Sequence, residues 1–151
     1  MTLRFPYRNF RPAHQIVPLA GRIFRPRPVF SVTLSGPHGS AAQDALLDTG
    51  ADDTVFPEWA VQRIGIDLTN APLGHAGGLP QGSVPVRYAR VTLRIADNHE
   101  RREWEAWVGF TPSPIRFPVL GFIGFLQYFT ATFHGDREEV ELTVNNHYPG
   151  T

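Results

Sequence analysis

The 151-residue chain contains no cysteine. A disulfide framework and a thiolate metal centre are therefore excluded. Lysine is also absent, all 14 basic residues being arginine, a bias that fits a GC-rich genome better than any mechanism. The 14 acidic residues bring the formal net charge to zero, so the molecule as a whole is no polyanion binder. No apolar run reaches the roughly 18 residues that a membrane-spanning helix needs. Pro6, Pro12 and Pro18 break the N-terminal stretch where the apolar core of a secretory signal would lie. A cytoplasmic location is the resulting expectation. Six histidines, at positions 14, 38, 75, 99, 134 and 147, show no metal-ligand spacing. No serine–histidine, phosphate-loop or dinucleotide motif occurs. Neither a metal nor a cofactor is expected.

What remains suits one β-rich domain. Hydrophobic residues make up 42% and charged residues 19%, as in a globular protein rather than a disordered one. Glycine and proline number 14 each, high for a helical protein and ordinary for short strands joined by turns. Residues 1–28 hold arginines at 4, 8, 11, 22, 25 and 27 and no acid. They read as an extended arm, with a short strand at 15–19, lying over the domain or over a partner subunit. Nucleic-acid contact is the lesser reading, since no recognition helix or aromatic platform is present.

Residues 29–151 form the domain. Positions 29–34 alternate as a half-buried strand. A turn-rich connection at 35–41 leads to a strand at 44–47. A short helix is expected over 57–64, opened by Pro57 and closed by Gly65. A glycine-rich hairpin spans 73–86. The alternation of 84–95 changes phase near Ala89. Strands at 104–110 and 117–120, one or two helical turns within 122–129, and a hairpin of 130–133 with 140–144 complete the domain. This is an all-β, closed barrel-like domain with one or two short helices. Trp59, Trp104 and Trp107 read as core or interface residues.

The most informative segment is Leu46-Leu47-Asp48-Thr49-Gly50-Ala51-Asp52-Asp53. An apolar strand delivers a carboxylate into a turn, and a carboxylate there is costly unless it is hydrogen-bonded or shares a proton. Such cost is tolerated at catalytic sites. Thr49 can lock the turn through its hydroxyl, and Gly50 permits close backbone approach or an unusual dihedral. The plainer reading is a turn in which Asp48 caps the next segment of backbone.

With its flanks, residues 45–55, this segment resembles the active-site stretch of the retroviral-type aspartic proteases, the retropepsin-like family. Val119-Leu120-Gly121 followed by Phe125-Leu126 resembles the same family's segment after its flap. Gly74-His75-Ala76-Gly77-Gly78-Leu79-Pro80-Gln81-Gly82 lies where that family carries a glycine-rich flap, although an ordinary hairpin would look the same. The likeness runs in order over roughly residues 28–144, and the chain is read as a cellular prokaryotic member with the acid-protease fold.

The resemblance implies an aspartic endopeptidase. Asp48 would be the carboxylate that activates water. Thr49 would hydrogen-bond across a dimer axis, and Gly50 would offer its carbonyl to the substrate backbone. Asp52, and more weakly Asp53, would bind substrate main chain or a neighbouring charge. Gly77, Gly78 and Gly82, with Leu79, would close over an extended peptide with apolar side chains flanking the cut. Peptide hydrolysis by this route needs two carboxylates sharing one proton, and the chain has one Asp-Thr-Gly. A two-fold homodimer supplies the second. The expected partners are a peptide substrate and a second copy, with no nucleic acid and no membrane. Two rivals stand beside this reading: a non-catalytic peptide-binding homodimer on the same fold, and a structural or small-ligand barrel. One departure is plain. Where the viral enzymes place an arginine after the Leu-Gly pair, this chain has Phe122, so the charge partner of Asp52 must come from elsewhere, with Arg116 or an N-terminal arginine as candidates.

Overall fold

A computed structural model describes residues 1–77 and 82–151. The strands are β1 (Thr2–Pro6), β2 (Arg8–Phe10), β3 (Arg25–Arg27), β4 (Val29–Gly36), β5 (Gly39–Leu47) and β6 (Val55–Pro57). After helix α1 (Trp59–Ile64) come β7 (Leu73–Ala76), β8 (Val84–Ala96), β9 (Arg101–Thr111), β10 (Val119–Leu120), β11 (Phe129–His134) and β12 (Glu139–Val144). The main sheet runs β4-β5-β10-β6-β9-β8, and β4 pairs again with β8, so six strands close on themselves. Strand β7 is added outside β8. The all-β, closed barrel-like domain expected from the sequence is what the chain forms.

Alternation sets which side chains enter the barrel. In β4, Val32 and Leu34 are fully buried while Ser31 is exposed, and Ala45 and Leu47 of β5 point into the same core. The phase change expected near Ala89 has a structural purpose. Before it, Val84 and Val86 join a small second core with Ala51, Val55, Ala76 and Val119. After it, Val91, Leu93 and Ile95 enter the main core. One strand therefore serves two cores, and the smaller of them lies under the Asp48 loop.

Several local expectations need correction. The connection at 35–41 is far tighter than expected: β4 and β5 pair in register from Val29 with Leu46 to Gly36 with Gly39. Antiparallel pairing confines the turn to Pro37 and His38, between Gly36 and Gly39 (φ +144°), and extends the 44–47 strand back to Gly39. Pro57 belongs to β6, and the helix begins at Trp59 after Glu58. Gly65 closes it in the left-handed conformation, φ +77°, as expected. The segment 15–19 holds a single 3-10 turn, Val17–Leu19, in place of a strand. The helical turns expected in 122–129 shrink to a 3-10 turn at Leu126–Tyr128.

Part of the first 28 residues packs on the domain through strands β1, β2 and β3. Strand β1 pairs antiparallel with β12, which pairs in turn with β11. Leu3 and Phe5 are buried in the main core, and the Phe5 ring stacks on Phe30 at 4.2 Å. Behind β1, the β2/β3 pair is pinned by an Arg8–Asp44 ion pair and by Phe10 packed edge-on to Phe117. At the other end of the chain, the Tyr148 hydroxyl donates to the Glu103 carbonyl at 3.0 Å, and its ring meets Trp104 and Phe129. Among the described residues, no helix is long and apolar enough to cross a membrane.

Candidate active site

Strand β10 lies between β5, to which it is parallel, and β6, to which it is antiparallel. The segment 48–54 loops over the end of β10 and is held to residues 120–123. The Asp48 N–H donates to the Leu120 carbonyl at 3.0 Å, the Phe122 N–H to Ala51 at 2.9 Å, and the Ile123 N–H to Asp52 at 2.9 Å. Thr54 N–H closes the ladder on the Ile123 carbonyl at 3.1 Å. The Val119-Leu120-Gly121 motif and the Asp48 segment, some seventy residues apart in sequence, thus form one unit.

Gly121 is required by close packing. A Cβ there would collide with the Asp53 carbonyl and lie 2.7 Å from that of Ala51. The Gly121 N–H donates to the Thr54 hydroxyl at 3.3 Å, and Thr54 is fully buried. A buried hydroxyl needs such a partner.

Asp48 itself is half-buried. Its Oδ1 accepts the Gly50 N–H at 2.8 Å, while its Oδ2 makes no hydrogen bond among the described residues. One oxygen is fixed and one is available. Thr49 and Gly50 are exposed on the loop crest. The locking role expected of the Thr49 hydroxyl falls instead to the Asp48 carboxylate, since the Thr49 hydroxyl bonds to no described residue. Gly50 differs from expectation in part. Its φ is not left-handed, and an added Cβ would meet only Asp48 Oδ1, at 3.3 Å. The unusual dihedral is therefore not required, while the close approach to the Asp48 carboxylate is tight enough that a side chain at 50 would press on it.

Asp52 is exposed and Asp53 half-buried. Burial raises the Asp53 pKa above the usual carboxylate value, the nearby Asp52 charge raises it further, and a hydrogen bond donated by Tyr88 acts in the opposite direction. The Tyr88 hydroxyl is itself pushed up, first by burial and then by the Asp53 charge. Among the described residues neither aspartate forms an ion pair. The position read as a missing arginine, Phe122, is 57% exposed, and its neighbour Ile123 is 45% exposed. Arg116, one candidate partner for Asp52, lies instead over the Phe117 ring at 5.3 Å.

The hairpin β7/β8 stands beside this loop. Its base is in register, Leu73 with Arg87 through Ala76 with Val84. Among the described residues nothing lies within 4 Å of a Cβ added at Gly77, and Gly82 is left-handed, φ +90°. Gly78 and Leu79, two of the residues expected to cover a substrate, lie outside the described residues, as do Pro80 and Gln81. His75 is exposed on β7. Among the described residues no group of three or more histidine, aspartate and glutamate side chains could hold a metal ion.

Tyr88 escaped the sequence reading. Its ring lies against Gly74 of β7, where a Cβ would meet the ring carbon Cε2 at 2.5 Å, and its hydroxyl reaches Asp53. It therefore links the base of the hairpin to the Asp48 loop. The signal was present: Tyr88 continues the Val84, Val86 phase and so faces the small core beneath that loop.

Comparison with known proteins bears on the family and the fold. The sequence model of a family described as aspartyl protease matches residues 31–121. A crystal structure of a retropepsin-like aspartic protease from Rickettsia conorii is similar over 94% of this chain and 91% of that one, with TM-score 0.54 and 16% identity. At that identity the likeness establishes the retropepsin-like fold. EIAV protease complexed with the inhibitor HBY-793 is 23% identical, with TM-score 0.42, over 63% of this chain and 81% of that one. No curated protein sequence matches.

Proposed function

The chain belongs to the aspartyl protease family, and from that premise we propose that it is an endopeptidase whose catalytic pair is Asp48 from each of two copies. The supporting observation is the state of half-buried Asp48: one oxygen held by Gly50 N–H, the other unbonded among the described residues, next to the exposed crest of Thr49 and Gly50. One carboxylate cannot serve as base and acid together. Two across a two-fold axis, sharing one proton, can. The ionised member takes a proton from water, and the protonated member donates to the scissile carbonyl oxygen. The pair then titrates as a unit.

The surrounding residues take supporting roles. Thr49, exposed and without a partner among the described residues of its own chain, is placed to hydrogen-bond across the axis. Gly50 leaves the crest bare, so that substrate backbone can approach. The β7/β8 hairpin with Gly77 covers an extended peptide, which binds by strand-like hydrogen bonding with apolar side chains in pockets. Asp52 and Asp53 line the end of the loop toward β10.

The test is cleavage of a diverse peptide library at high protein concentration, from mildly acidic to neutral pH, with Asp48→Asn as control. Cuts that fall by roughly 10²–10⁴-fold in the variant, with the fold intact, are the expected result. A well-folded dimer that cuts nothing would favour the non-catalytic peptide-binding reading. Cuts that persist in Asp48→Asn would end the proposal.

A further inference from the structure

Strand β5 carries a polar side chain where its alternation calls for an apolar one. Ala41, Gln43, Ala45 and Leu47 share one face of the strand. Ala41, Ala45 and Leu47 are buried in the main core. The Gln43 amide nitrogen Nε2 is buried too, and it has no hydrogen-bond partner among the described residues. A buried donor left open is unfavourable. Local conflict of this kind is expected where a site is built.

Gln43 lines a cleft of about 540 Å³ whose walls are the start of α1 and the loop 112–118. That volume suits a small ligand or a short peptide segment. Trp59 lines the cleft and is 49% exposed. Arg63, which does not line it, lies 5.3 Å from the centroid of the indole ring and steadies it. Pro57, Pro112 and Pro118 add apolar wall that brings no N–H.

Three acceptors along the cleft are already engaged. The Thr111 carbonyl takes the Glu58 N–H at 2.8 Å, and the Pro118 carbonyl takes the Leu46 N–H at 2.8 Å. The Thr111 hydroxyl takes the Ser113 N–H at 3.1 Å. The donors are open: Gln43 Nε2 and the Arg116 guanidinium, which has no ion pair among the described residues. Burial lowers the Arg27 pKa, and the like charges of Arg116 and Arg25 lower it further. The Arg116 end of the cleft is therefore electropositive, while Glu58 puts a negative charge on the α1 wall. An occupant that fits is rich in acceptors, poor in donors and anionic at one end. A proline-bearing peptide has this character. Its carbonyls accept, its imino nitrogens need no partner, and its extended form is set before binding and packs on aromatic rings.

We propose that this cleft is a second peptide site, separate from Asp48, which takes an extended segment with proline against Trp59, a backbone carbonyl on Gln43 Nε2 and an acidic side chain at Arg116. Ile115, on the same loop, packs on the small core beneath the Asp48 loop, so an occupied cleft braces that core from outside. Binding here does not depend on whether the chain cuts peptides.

The test is an NMR titration of the nitrogen-labelled full chain with a capped hexapeptide of five prolines followed by one glutamate. Saturable shifts should appear at the Trp59 indole N–H, the Gln43 side-chain amide and Ser113. Trp59→Ala should weaken binding by roughly tenfold or more, and Gln43→Leu by roughly three- to tenfold. Arg116→Gln should weaken it and remove most of its salt dependence. Trp59 is exposed and leucine keeps the volume of glutamine, so these chains should fold; circular dichroism checks it, and Trp59→Leu replaces the alanine variant if that one does not. Asp48→Asn should bind like the wild type. No saturable shift at millimolar peptide overturns the proposal. So do shifts centred on Thr49 and Gly50, or loss of binding in Asp48→Asn, since either places the peptide at Asp48. Equal binding of a capped peptide with glycine in place of every proline overturns the proline assignment. The cleavage assay decides the Asp48 reading separately.

Discussion

Gly121 lies so close beneath Asp53 that a single added methyl would collide with the Asp53 carbonyl oxygen. This contact fastens the β10 segment to the loop that carries Asp48, and neither can shift without the other. Gly121→Ala should therefore destabilise the protein by about 1–3 kcal/mol, with a loss of peptide cleavage larger than the unfolded fraction explains. Denaturant unfolding alongside an activity assay checks it. A variant of wild-type stability would show that the loop relaxes freely.

Tyr88→Phe should raise the Asp53 pKa further, because it removes the hydrogen bond that favours the carboxylate. Since folding raises this pKa, the stability contributed by Asp53 is fully present below its unfolded value and is lost as pH rises through the folded value. The variant should lose that contribution over a window reaching to higher pH. Asp52→Asn should act the other way, drawing Asp53 down by removing a like charge. Carbon NMR titration of the Asp53 carboxyl reads both, and a fall in the Tyr88→Phe protein would contradict the assignment.

Trp104→Phe should cost about 1–3 kcal/mol from hydrogen bonding alone. The indole Nε1 donates to the buried Gly124 carbonyl at 3.0 Å, and phenylalanine leaves that acceptor unpaired. Thermal or denaturant unfolding gives the answer. A change below the range would mean that water reaches Gly124.

Leu3→Ala should destabilise by about 2–5 kcal/mol, since Leu3 is almost completely buried under β12. Removal of residues 1–6 should do more, exposing the β12 edge and promoting aggregation. If that truncated chain unfolds like the full one, β1 is an accessory to the domain. The comparison separates a free arm from a structural strand.

The site was legible to different degrees. Asp48 was found because an apolar strand ending in Asp-Thr-Gly is a local pattern, and its hydrogen bond to Gly50 is local too. Thr49 was assigned a local task that the single chain does not give it, because its surroundings are left open above the crest. Tyr88 went unassigned because its partner, Asp53, is 35 residues away and on another segment. The β1 strand was read as an arm because five residues rich in turn and basic neighbours carry little periodicity. What orders it is the edge of β12, at the far end of the sequence.

Residue order alone determined the strand alternation, the position of the carboxylate and the phase change in β8, since each depends on neighbours one to four residues away and on burial against a generic core. The barrel closure of β4 on β8, the seating of the Asp48 loop on Gly121, the docking of β1 and the Tyr88–Asp53 bond were decided only in three dimensions. They join residues far apart in the chain, and their energies arise from contacts that exist only once the sheet has closed.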